Sequence, residues 1–132
     1  MQYENNFYLT HDRSLDIEFL FVDRGGSIGW RAYILSDIDY KGRSTLCGTI
    51  HRLTESSGVI CQQIRRFLAD TREVGNRMAP IYYICWSQSI HSLEDMREVS
   101  KTWAEITAYY IKHGGSFQTI QKTLKNRGII TL

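Results

Sequence analysis

Asp16, Glu18, Asp37 and Asp39 are the side chains of this chain whose spacing most suggests a shared task. Asp16 and Glu18 alternate with Leu15, Ile17, Phe19 and Phe21. Asp37 and Asp39 flank Ile38, in phase with Arg31 and Tyr33. Alternation sends successive side chains to opposite faces of a strand, and opposed residues of paired strands share a face. Two such strands joined by a Gly25-Gly26 turn line four carboxylates along one exposed face. Such a row can hold a divalent cation if the carboxylates converge. It can also be a plain solvated sheet face. Thirdly, it can offer negative charge that imitates a phosphate backbone and steers towards a basic groove. This last chemistry makes the four acids a candidate surface for a protein or nucleoprotein partner with a basic surface.

Other chemistries find less support. Cys47 and His51 share a strand face, and Cys85 and His91 flank the end of another strand. Zinc needs about four converging N or S ligands, and no paired short spacing supplies them, so no metal and no cofactor is expected. Cys85 lies between Ile84 and Trp86, where a buried thiol is inert; Cys61 and Cys85 read as small apolar residues. Gly25, Gly26 and Gly29 lack the lysine and following helix of a phosphate-binding loop. Tyr82, Tyr83, Trp86 and Trp103 can stack on bases, but they suit packing between sheet and helix. No nucleophile, base and orienting group assemble into a catalytic set, so the chain is read as no enzyme.

The closing stretch "GGSFQTIQKTLKNRGIIT" is the second charged candidate. Its Gly114, Ser116, Ile120, Leu124, Gly128, Ile129 and Thr131 resemble the helix-turn-helix region of serine recombinases. The resemblance covers under a sixth of the chain and implies DNA contact. In that register residues 116–127 form the supporting helix, and the reading helix, which lies in the major groove, would have to follow Gly128. Only "IITL" follows here, so the stretch is expected to be the last helix of the domain. Lys122, Lys125 and Arg127 remain candidates for phosphate contact.

These groups must be positioned by elements that the patterning predicts. "LDIEFLFV" (15–22) and "GWRAYILSDIDY" (29–40) read as a hairpin with one wet face. A weaker strand follows at 43–53. Ile60, Ile64, Phe67 and Leu68 recur at helical intervals in 59–75, and "IYYICWS" (81–87) reads as a central strand. Ser92 caps a long helix to residue 113, with Leu93, Met96, Val99, Trp103, Ile106 and Tyr110 on one stripe. Gly114 ends it, and Ser116 caps a short last helix to 127. The predicted order is β-β-β-α-β-α-α. That is an α+β fold, a small mainly antiparallel sheet with helices packed on one face, forming one domain over 1–132.

At 132 residues the chain is long enough for a real core. No run approaches a membrane span, and the polar, acidic start is no signal peptide. Three widely spaced cysteines argue for a reducing compartment, hence the cytoplasm. Residues 1–40 carry net charge −4 and residues 41–132 carry +6, an asymmetry that suggests a charged partner. The leading expectation is a non-enzymatic cytoplasmic binding or inhibitor protein acting on a larger protein or nucleoprotein machine. Small proteins of this kind are common on phages and mobile elements, and anti-CRISPR proteins are an example. The alternative is a nucleic-acid-binding accessory protein that uses its basic C-terminal helices on DNA or RNA.

Overall fold

The computed structural model describes residues 2–45, 50–52 and 82–132, with only the backbone for 50–52. Five strands, β1 (Tyr3–Leu9), β2 (Asp16–Asp23), β3 (Trp30–Ile34), β4 (Ile50–Arg52) and β5 (Tyr82–Ile84), form a sheet in the order β1-β2-β3-β5-β4. Each pairing is antiparallel. Two helices follow, α1 (Leu93–His113) and α2 (Phe117–Asn126). The fold is α+β, as the patterning predicts, and of the predicted 81–87 strand the described Tyr82–Ile84 lies inside the sheet, between β3 and β4. The expected helix over 59–75 lies outside the described residues.

The predicted hairpin is β2-β3. Its register pairs Phe19 with Ile34 and Asp23 with Trp30, and Gly25 and Gly26 take φ of 68° and 56° in the turn. At Gly29 a side chain is sterically barred: a Cβ would lie 2.2 Å from the Ile90 carbonyl oxygen. That carbonyl instead accepts the Trp30 N–H at 2.7 Å, which ties residues 87–92 to the hairpin.

Ile17, Phe19, Phe21, Ala32, Ile34 and Ile84 form the core face of the sheet. Met96, Val99, Trp103 and Ala104 of α1 cover it. The Trp103 ring meets Phe19 edge-on, with centroids 6.2 Å apart. Burying such side chains removes most of their apolar area from water, about 25 cal/mol per Å². The capping signals act as read: Ser92 Oγ accepts the Asp95 N–H at 3.1 Å, and Gly114 has φ of 73° and donates to the Tyr110 carbonyl at 2.7 Å. A second cluster of Ile106, Ile120, Leu124 and Ile130 holds α2 to α1, with Tyr109 and Phe117 half-buried beside it.

Four expectations change. The N-terminal residues form β1, a strand that the sequence reading left unassigned. Strand 29–40 is cut to Trp30–Ile34, because the Ser36 hydroxyl takes the Glu18 N–H at 2.8 Å and so replaces the backbone partner of the next rung. The described part of 43–53 contributes only Ile50–Arg52 to the sheet. Nor is the second face simply wet: Leu20, Val22 and Tyr33 are buried there. The alternation of the charged residues was visible, but the face also carries these large apolar side chains.

Trp103→Ala is expected to destabilise the fold by roughly 3–5 kcal/mol, the usual range for aromatic truncation in a core. Its indole N–H meets no acceptor among the described residues, so Trp103→Phe should cost clearly less. Chemical denaturation of both variants checks this. Equal small losses would place Trp103 outside the core.

Candidate partner-binding surface

β1 pairs with β2 in an unbroken register, Tyr3 opposite Val22, Asn5 opposite Leu20, Phe7 opposite Glu18 and Leu9 opposite Asp16. The odd residues of β1 therefore share the face of Asp16 and Glu18, away from α1. Tyr3 is 58% exposed, Phe7 64% and Leu9 42%. Of the five large apolar side chains left exposed among the described residues, three are on this strand. Asp16 is exposed and Glu18 half-buried. The Asn5 side-chain amide donates to Glu18 Oε2 at 3.1 Å and to the Phe19 carbonyl at 3.0 Å. The surface is thus acidic and apolar together, whereas the acids alone drew attention in the sequence. The missed signal was the alternation of Tyr3, Phe7 and Leu9, masked by the polar Glu4-Asn5-Asn6 between them.

Asp37 and Asp39 are exposed but lie on irregular chain beyond β3. They do not extend a row across two strands. The Asp39 carboxylate accepts the Lys41 N–H at 2.8 Å and closes a turn in which Lys41 and Gly42 have positive φ. The half-buried Ile38 packs against the core from the same segment. The chain then runs to Arg43, whose Nε donates to the Ile111 carbonyl at 3.1 Å. A cation at a helix C-terminus is favourable because the last carbonyls lack partners. Burial first, then Tyr110 and Tyr82, push the Tyr40 hydroxyl up to about 12.

Lys122, Lys125 and Arg127 are all exposed on or just past α2. Arg127 also lies over the Tyr109 ring, 5.8 Å from its centroid. Lys112, near the end of α1, pairs with Asp12 at 2.8 Å. Neither helix end presents a metal set, and among the described residues no three His, Cys, Asp or Glu side chains could hold an ion. Cys85 is half-buried, not core. Cys47 and Cys61 lie outside the described residues, as does the His51 side chain.

A buried acid that the sequence reading passed over pins β1 in place. Glu105 is 5% exposed, in the "WAEITA" stretch of α1. Its carboxylate accepts the Tyr8 hydroxyl at 2.9 Å and the His11 N–H at 2.9 Å. Burial, then this hydrogen bond, push the Tyr8 hydroxyl well above its usual range, so it stays a protonated donor. At the other end of β1, Glu4 pairs with Arg97 of α1. The neighbouring turn is organised by Asp12. Partial burial works to raise its carboxyl, but Lys112, the Ser14 hydroxyl and N–H, and the Thr10 hydroxyl together hold it well below the usual carboxylate range.

No helix among the described residues is long and apolar enough to cross a membrane. The chain matches no protein-family profile, no curated protein and no solved structure.

A depressed acid contributes stability that is present above its unfolded pKa, about 3.9 for Asp, and is lost as pH falls through the folded value. Asp12→Asn should therefore lower the melting temperature near neutral pH, with the deficit shrinking below about pH 4. Melts across that range check it. A deficit independent of pH would show that the charge is not what matters.

Proposed function

We propose that this chain is a non-enzymatic binding protein that docks on a basic surface of a larger protein or nucleoprotein. The observation that carries the reading is the joint exposure of Phe7 and Leu9 beside Glu18 and Asp16 on the face away from α1. Exposed apolar side chains grouped on one strand mark interaction sites more often than scattered ones do. Neighbouring carboxylates select against acidic partners and speed encounter with basic ones. Asp37 and Asp39 add exposed negative charge. An inhibitor of a cytoplasmic nucleoprotein machine, in the manner of anti-CRISPR proteins of phages and mobile elements, fits this chemistry. Charge in such a protein competes for a groove built for nucleic acid.

A second reading has its own observation. Lys122, Lys125 and Arg127 are exposed together and form no ion pair among the described residues. That arrangement supports an accessory protein that contacts DNA or RNA phosphates.

One set of variants separates the two. Asp16→Lys with Asp37→Lys reverses two exposed acids that lie outside the core, so the chain should stay folded. The double variant should slow association with an oligo-lysine probe. Neutralising Lys122, Lys125 and Arg127 should leave that association intact. If instead the wild type binds a random DNA duplex, and the neutralised variant loses this affinity with a salt slope flatter by up to about 2.7 for three lost phosphate contacts, the second reading replaces the first.

A further inference from the structure

Among the described residues, the edge of β1 is open as well as its face. Thr10 donates to the Leu15 carbonyl at 2.9 Å and Asp23 donates to the Gln2 carbonyl at 2.9 Å. Both contacts follow the β1-β2 register, in which hydrogen-bonded and non-hydrogen-bonded pairs alternate. The even residues Gln2 to Thr10 therefore exchange bonds with β2. Asn5, Phe7 and Leu9 turn their N–H and C=O groups away from it. β1 is the end strand of the described sheet, so these groups line an edge that no described strand pairs.

Sheet proteins usually guard such an edge with a short strand, a lysine, a proline or a bulge. β1 has none of them. It is seven residues long, "YENNFYL", and pairs without a bulge. Its one charged side chain, Glu4, points to the helix side and is held by Arg97. Tyr8–Glu105 and Glu4–Arg97 hold the strand from the helix side, and the Asn5 amide ties it to Glu18 on the other. An extended edge that no strand pairs among the described residues is the template that strand addition requires.

We propose that β1 accepts an extended segment of the partner as a sixth strand, and that this segment carries Arg or Lys at every second position. The proposal rests on the basic-partner reading above and deepens it. The period of two follows from strand geometry: side chains on the acidic face of an added strand come from alternate residues. The added strand lies about 4.8 Å from β1 and about twice that from β2. A long cationic side chain on that face crosses the exposed Phe7 or Leu9 and ends beside Glu18 or Asp16, which lie opposite them in register. A guanidinium over the Phe7 ring adds a cation–π contact. Main-chain bonds supply affinity, and the acidic-apolar face selects the side chains.

The test uses the whole chain and three capped octapeptides: one alternating Arg and Val, one with the same residues in two blocks, and the alternating one N-methylated at every residue. Binding is followed by fluorescence anisotropy and by amide hydrogen exchange. Expected is preference for the alternating peptide by about tenfold or more over both controls, with exchange slowed at Asn5, Phe7 and Leu9. Asp16→Asn with Glu18→Gln should weaken that binding. Equal binding of all three peptides, lost in the charge variant and without edge protection, would overturn strand addition while leaving the basic-partner reading standing. Failure of every peptide to bind would overturn both. Protection of the same amides without peptide, rising with protein concentration and matched by a doubled mass in sedimentation, would assign the edge to a second copy of the chain and overturn the proposal.

Discussion

The contact between Trp103 and Phe19 fixes the arrangement on which the other features depend. It sits where α1 crosses β2, and Met96, Val99 and Ala104 continue the contact along the helix. Close packing allows little freedom there, because a core at crystal-like density accepts only one seating of so large a ring. Once α1 is seated, its remaining faces are committed. Glu105 comes over Tyr8 and His11, Arg97 comes over Glu4, and Ile106 turns to α2.

That commitment explains the asymmetry of β1. The strand is anchored from the helix side by a buried carboxylate and an ion pair. Its other face keeps Phe7 and Leu9 exposed, and its outer edge is unpaired within the described sheet. The burial pattern alternates between exposed and half-buried along all seven residues, the half-buried ones facing the helix. An edge strand without such anchors would fray, since terminal residues are ordered only where something ties them down. The same anchors hold Phe7 and Leu9 beside Glu18 and Asp16, so the rigidity and the openness of the candidate surface share one cause.

The connection after β3 shows a similar economy of contacts. Ser36 stops the ladder at Glu18, Asp39 closes a turn, and Arg43 reaches the C-terminal carbonyls of α1. Gly114 is needed at that point because its φ is positive, and the Arg43 guanidinium lies close over it. The helix end and the loop thus stabilise one another, and Asp39 serves the loop geometry as well as the surface charge.

The long helix, its caps and the hairpin were legible in the sequence because local chemistry determines them. Ser92 and Gly114 bound α1 through their own backbone and side-chain preferences, and the 3.6-residue stripe from Leu93 to Tyr110 has no other regular solution. The alternation at 15–22 set which residues of β2 share a face. Where β3 ends was not legible, because the Ser36–Glu18 bond joins residues 18 positions apart. β1 was hidden for the same reason: Tyr3–Leu9 is polar enough to read as a loose terminus, and it becomes a strand only because β2, Glu105 and Arg97 supply partners from distant parts of the chain. The sequence by itself determined the helices, the turn and the face of Asp16 and Glu18, all set by neighbours within a few residues. Only the tertiary structure decided that Phe7 and Leu9 would stand exposed beside those acids, because that depends on which side of β1 the helix covers.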